Sequence, residues 1–153
     1  MNPYGADVGR PRSFDETEAV TRAAALFAEH GYEGTSVDDL VRGLGIHRGS
    51  LYSTFGSKRA LYLRVLAGHV AGLAGDRQPV DGTDLTLLLR AAVERAPVDD
   101  EAAALVDRGL RTLERRLPAP PGTGTDATAA LAQLLGEHLI RRAATTHHDQ
   151  EGP

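Results

Sequence analysis

Arg48, Ser50, Tyr52, Ser53 and Thr54 share one short segment whose apolar anchors are Leu51 and Phe55. A guanidinium, a phenol and hydroxyls can donate and accept hydrogen bonds, but they supply no activated nucleophile, no acid–base pair and no metal set. The chemistry open to them is recognition. A helix that keeps two apolar feet and exposes a polar remainder suits the major groove of duplex DNA, where each base edge presents its own donors and acceptors. Gly49 leaves the backbone free to approach a phosphodiester closely. On spacing alone, an ordinary helical hairpin with a polar surface fits as well.

Such a helix needs elements to hold it. Immediately upstream, Val37, Leu40, Val41 and Leu44 recur at i, i+3, i+4 and i+7 and paint one apolar stripe. Ser36 stands at the N-cap with Asp39 three residues on as a capping box, and Gly45 supplies a left-handed stop. Leu51 and Phe55 can pack on that stripe. Gly56 and Ser57 then end the polar helix and start another, from Lys58 to about Gly75, with Leu61, Val65, Leu66, Val70 and Leu73 inward. Its first-turn amides and the Lys58 ammonium would converge on a phosphate, because a helix N-terminus attracts anions. Before the stripe, Ser13 and Glu16 read as a capping box for a helix running to His30, with Val20, Ala24 and Phe27 buried and Gly31 as its stop. Tyr32 then covers the three-helix core.

The run GY..TSVDDLV..LGI..GSLYSTFGSK..LY, within residues 14–66, resembles the DNA-binding domain of the tetracycline-repressor (TetR) family of transcription regulators. The resemblance implies an all-α fold, in which an N-terminal three-helix helix-turn-helix domain is joined by a long fourth helix to a small C-terminal helical body. It also implies that Arg48 reads bases with Gly49, Ser50 and Val37 nearby, while Thr35, Ser36, Tyr52 and Lys58 hold phosphates. Two positions depart from the family pattern. Val41 stands where Ala is usual, and Thr54, at a DNA-binding position where His or Tyr is common, loses a phosphate contact. Bodies in this family have five or six helices, the last two pairing with a twin chain as a four-helix bundle. Three helices can be traced here, which leaves less room for an effector cavity and less of a dimer face.

Residues 1–12, with Pro3, Gly5, Gly9 and Pro11, read as a flexible arm whose Arg10 and Arg12 are either solvated or against DNA. Residues 13–75 make up the helix-turn-helix domain with its connecting helix. A turn-rich stretch from residue 76 opens a second domain, 76–144, for dimerisation and effector binding. Its first helix runs from about Asp84 to Ala96 and is ended by Pro97. Asp99, Asp100 and Glu101 favour the start of the next, which carries Val106, Leu110, Leu113 and Leu117. The last runs from about Asp126 to Arg142 with Leu131, Leu134, Leu135 and Leu139 on one stripe, and residues 145–153 read as a disordered tail.

The chain has 153 residues, 41% of them hydrophobic, enough for a core. Without cysteine it has neither a disulfide framework nor a thiolate metal site. No apolar run reaches membrane-span length and no signal-peptide core precedes the first helix, so a cytoplasmic protein without membrane contact is expected. A net charge of −4 argues against indiscriminate coating of nucleic acid. That charge is segregated: residues 1–75 hold eight Lys or Arg against eight Asp or Glu, and residues 76–153 hold nine against thirteen. Arg42, Arg48, Lys58 and Arg59 crowd the polar helix as a local basic face.

Catalysis finds no support: there is no G-x-S-x-G elbow, phosphate-loop glycine pattern or H-E-x-x-H. His138, His147 and His148 read as incidental rather than as a metal set, and no cofactor is expected. Every aromatic residue lies at or before Tyr62, so a ligand pocket in the body would have aliphatic walls. The expected function is a repressor that binds a near-palindromic double-stranded DNA operator as a homodimer and is released by a small apolar effector. Two alternatives stand beside it: a truncated family member that pairs with a full-length relative, and a small-molecule binding protein on the same scaffold.

Overall fold

The computed structural model of the chain describes residues 14–75, 82–116 and 127–148, and every regular element among them is helical. Asp15, not Ser13, opens the first helix, α1 (Glu16–Gly34): its Oδ1 accepts from the backbone N–H groups of Thr17 at 2.8 Å and Glu18 at 3.2 Å. Ser13 and the expected arm lie outside the described residues. The expected stop at Gly31 is present, with φ 76° and ψ 175°, a conformation essentially reserved for glycine. Of the expected stripe only Phe27 is fully buried. Ala19, Ala23, Phe27 and Ala28 are buried, while Val20 and Ala24 sit half-buried at the flank. Alanines on the contact face let the neighbouring helix come close, and the bulkier Val20 is turned aside.

Helix α2 (Val37–Leu44) has the full capping box: Ser36 Oγ accepts from Asp39 N at 3.1 Å, and Ser36 N donates to Asp39 Oδ2 at 2.9 Å. The Ser36 bonds hold the Asp39 carboxyl below its ordinary value. Gly45 ends the helix in the left-handed region at φ 68°. Helix α3 (Arg48–Phe55) seats Leu51 and Phe55 in the core. Helix α4 (Lys58–Leu73) is capped by Ser57, whose Oγ accepts from Ala60 N at 3.0 Å. It buries Leu61, Val65, Leu66, Val70 and Leu73, as its spacing predicts, and also Tyr62. Tyr62 meets Phe27 and Tyr32 edge-on at centroid distances of 5.0 and 4.9 Å, and burial pushes its phenol well above the usual range.

Among the described residues three helices form the body. Helix α5 (Gly82–Arg90) buries Leu85, Leu87 and Leu88 and continues as one π-helical turn, Ala91–Arg95. Helix α6 (Asp100–Arg116) packs Ala102, Val106 and Leu113 against α4, and α7 (Ala127–His148) closes the body through Leu131. Leu117 lies outside the described residues. Two expectations about α7 fail. It runs to His148, into the span read as a tail, since Ala143 and Ala144 carry the helix forward. Its inward stripe passes through His138 rather than Leu139, because the i, i+4, i+7 row from Leu131 ends on residue 138. His138 is buried with Nε2 2.9 Å from Thr86 Oγ1, leaving Leu139 and Ile140 exposed at 54% and 72%.

Candidate nucleic-acid interface

With Leu51 and Phe55 inward, α3 turns Arg48, Gly49, Tyr52 and Ser53 outward, and half-buried Ser50 and Thr54 flank that face. A Cβ on Gly49 would meet nothing within 4 Å, so packing does not require glycine there. What the missing methyl permits is close approach from outside. His47 occupies the N-cap of α3 without a side-chain bond, so the amides of its first turn are not capped by that residue.

Arg48, at the head of α3, donates from Nη2 to Asp38 Oδ1 at the second position of α2. This bond joins the leading ends of the two helices across the turn. Asp38 holds the Arg48 pKa above its ordinary value, and Tyr52 adds a smaller contribution of the same sign. Arg42 similarly pairs with Asp39 at 3.3 Å. From Thr35 to Lys58 there are two carboxylates against three cations, so the basic face is weaker than a count of arginines and lysines implies.

Two expected phosphate holders are engaged inside the head. Thr35 is fully buried and its Oγ1 donates to Gly31 O at 2.6 Å, so its hydroxyl cannot reach a phosphate; it pins the break in α1. Lys58 Nζ donates at 3.0 Å to both Tyr32 O and Thr35 O and stands 4.1 Å from the Tyr32 ring centroid. Carbonyls at the end of α1 have no helical partner, and they draw the ammonium back from the first turn of α4. The expected convergence of Lys58 and the α4 amides on one anion is therefore absent. Ser36 is exposed, but its hydroxyl is engaged with Asp39. Val37 is half-buried beside it.

Arg59 also leaves the expected basic cluster. It makes two bonds of 2.8 Å to Asp99 and one of 2.6 Å to Glu101, fastening α4 to the start of α6. Asp99 is buried, caps α6 through Ala102 N at 3.3 Å and also receives Arg95 at 2.9 Å. Arg59, then Arg95, hold its carboxyl far below the usual carboxylate range against the opposing effect of burial. Arg95 lies 4.3 Å from the Tyr32 ring centroid, and Glu94 on the same π-turn accepts from Tyr32 N at 2.9 Å. The π-turn is thus the body's grip on the end of α1.

The expected set therefore divides. Arg48, Gly49 and Tyr52 share one open face with Ser50 and Thr54 at its edges, whereas Thr35 and Lys58 brace the scaffold behind it. Asp38 was missed because its partner lies ten residues on, a separation that no helical period marks. Among the described residues no group of three or more His, Asp or Glu could hold a metal ion, and no helix is long and apolar enough to cross a membrane.

Residues 20–65 match the sequence profile of bacterial regulatory proteins of the tetR family. The HTH-type transcriptional regulator YezE of Bacillus subtilis is 46% identical over 65 residues, covering 42% of this chain and 34% of that protein. The HTH-type transcriptional repressor BdcR of Escherichia coli is 38% identical over 94 residues, covering 57% and 47%. The chain thus matches between a third and a half of the length of these two relatives. Among solved structures, the TetR family transcriptional regulator PfmR of Thermus thermophilus superposes with a TM-score of 0.51 at 25% identity, covering 80% of this chain and 83% of that one.

Proposed function

On the premise that this chain belongs to the tetR family of helix-turn-helix DNA-binding regulators, we propose that it is a transcriptional repressor that binds a near-palindromic operator as a homodimer. The observation that carries this reading is the division of α3, whose two apolar anchors are sunk in the core while Arg48, Gly49, Tyr52 and Ser53 face outward. Arg48 reads base edges in the major groove, with Ser50 and Val37 at the rim. Tyr52 lines the adjoining phosphates with the shorter Thr54 at the edge of the same face, Ser36 adds its exposed backbone turn, and Gly49 admits the sugar-phosphate strand.

One such helix spans only a few base pairs, and two on one face of the duplex need centres about 34 Å apart, which calls for a second copy. The exposed pair Leu139 and Ile140 on α7 supports pairing through that helix. An effector suited to this body is small and apolar, since Leu85, Leu87, Leu88, Val106, Leu113 and Leu131 form its interior. A protein of this kind works in the cytoplasm, beside the bacterial chromosome.

The test is a gel shift on duplexes flanking the chain's own gene, against the same sequences scrambled. Arg48→Ala should cost about 1–3 kcal/mol on the matched duplex and leave the scrambled one far less affected. Equal losses on both would overturn the assignment of Arg48 as reader.

A further inference from the structure

We infer that Asp38 is the specificity-setting positioning residue of this head: it orients the Arg48 guanidinium for base reading and opposes capture of DNA of any sequence. The inference rests on the proposed DNA reading and goes beyond it. The reciprocal bonds of Ser36 and Asp39 already cap α2, so what Asp38 adds to folding there is the modest field effect of a first-turn acid. The Asp38–Arg48 pair is open to solvent, with side chains 70% and 54% exposed, and such pairs contribute little to stability. Its effect lies in where it holds the guanidinium. Arginine carries five donors in a rigid fork, and a bond through Nη2 to Asp38 leaves the others for a base edge. Without that bond, a long side chain at the tip of α3 must lose its rotamer freedom on binding.

The carboxylate also acts through its charge. Across Thr35–Lys58 the two acids leave a net charge of +1, and removing one doubles it. A freed Arg48 could then take a phosphate on any duplex, which strengthens binding without regard to sequence.

The experiment uses the full chain, a duplex enriched by that chain from a randomised pool, and a permuted duplex of the same composition. Affinities are measured over a salt series for the unsubstituted chain, Asp38→Asn, Arg48→Ala and the double variant. Asp38→Asn should bind the permuted duplex several-fold more tightly, steepen the salt slope by about one ion, and lower the matched-to-permuted ratio about tenfold. In the Arg48→Ala background the same substitution should leave that ratio unchanged, whereas a merely structural effect would lower it in both backgrounds and a long-range charge effect would lower it in neither. A ratio for Asp38→Asn within twofold of the unsubstituted chain, or an equal drop in both backgrounds, overturns the inference. Failure of the unsubstituted chain to enrich any duplex would instead overturn the DNA reading beneath it.

Discussion

Gly31→Ala tests how the end of α1 is held, and its cost can be worked from the structure. The backbone at φ 76° and ψ 175° belongs to a region that costs a residue with a Cβ about 1–3 kcal/mol. The new Cβ would also fall 2.4 Å from both carboxylate oxygens of Glu94, so that side chain must leave. Its departure breaks the 2.9 Å bond from Tyr32 N, a bond to a charged acceptor worth about 1–2 kcal/mol at a partly solvated site. The total is about 2–5 kcal/mol, against a global stability on the order of 5–15 kcal/mol. Glu94→Ala alone should cost this bond and the 3.0 Å pairing with Arg90, which Gly31→Ala also displaces, and the double variant should cost no more than Gly31→Ala, so the two effects should fall short of additivity by at least about 1–2 kcal/mol. Urea unfolding followed by circular dichroism at constant slope measures all three. A cost below about 1 kcal/mol for Gly31→Ala, or strict additivity, would refute the reasoning.

Three further outcomes follow from the same contacts. The Asp99 carboxyl is depressed below its ordinary 3.8, so its contribution is full above that value and fades as pH falls through the lower folded value. Asp99→Asn should therefore cost about 2–3 kcal/mol at neutral pH, and its gap to the unsubstituted chain should narrow progressively as pH falls below 3.8; parallel curves of urea midpoint against pH would contradict this. Lys58→Met should lower stability by about 1–2 kcal/mol in the absence of DNA, because two carbonyls lose their donor, and an unchanged thermal melt would show that Lys58 does not brace the head. Ile140→Glu should shift sedimentation toward the monomer, and an unchanged sedimentation profile would remove α7 from the pairing surface.

The recognition head was legible wherever its determinants are local. The Ser36 and Asp39 box, the Gly45 stop and the two anchors of α3 each lie within one or two turns, and each is found; of the i, i+3, i+4, i+7 row of α2, Leu40 and Leu44 are buried and Val37 and Val41 half-buried. Contacts that fold distant segments together left no periodic trace. Arg59 with Asp99, Lys58 with Tyr32 O and Glu94 with Tyr32 N lie 40, 26 and 62 residues apart. Reading Arg59 and Lys58 as free cations therefore overstated the basic face. In α1, periodicity alone could not choose between the row of Val20 and Ala24 and the row of Ala19 and Ala23, since both repeat every four residues. The choice is made by how closely α4 can approach. The length of α7 was misjudged because Thr145 and the histidines are weak helix formers on their own, yet they extend a helix already nucleated.

The most direct measurement of the central claim is a titration of isotope-labelled chain with its enriched duplex, followed through backbone amide resonances. The α3 face should respond first and most strongly, at Arg48, Gly49, Tyr52 and Ser53, with Leu85, Leu87 and Leu88 of α5 little changed. Resonances of α5–α7 shifting while those of α3 stay in place would contradict the account.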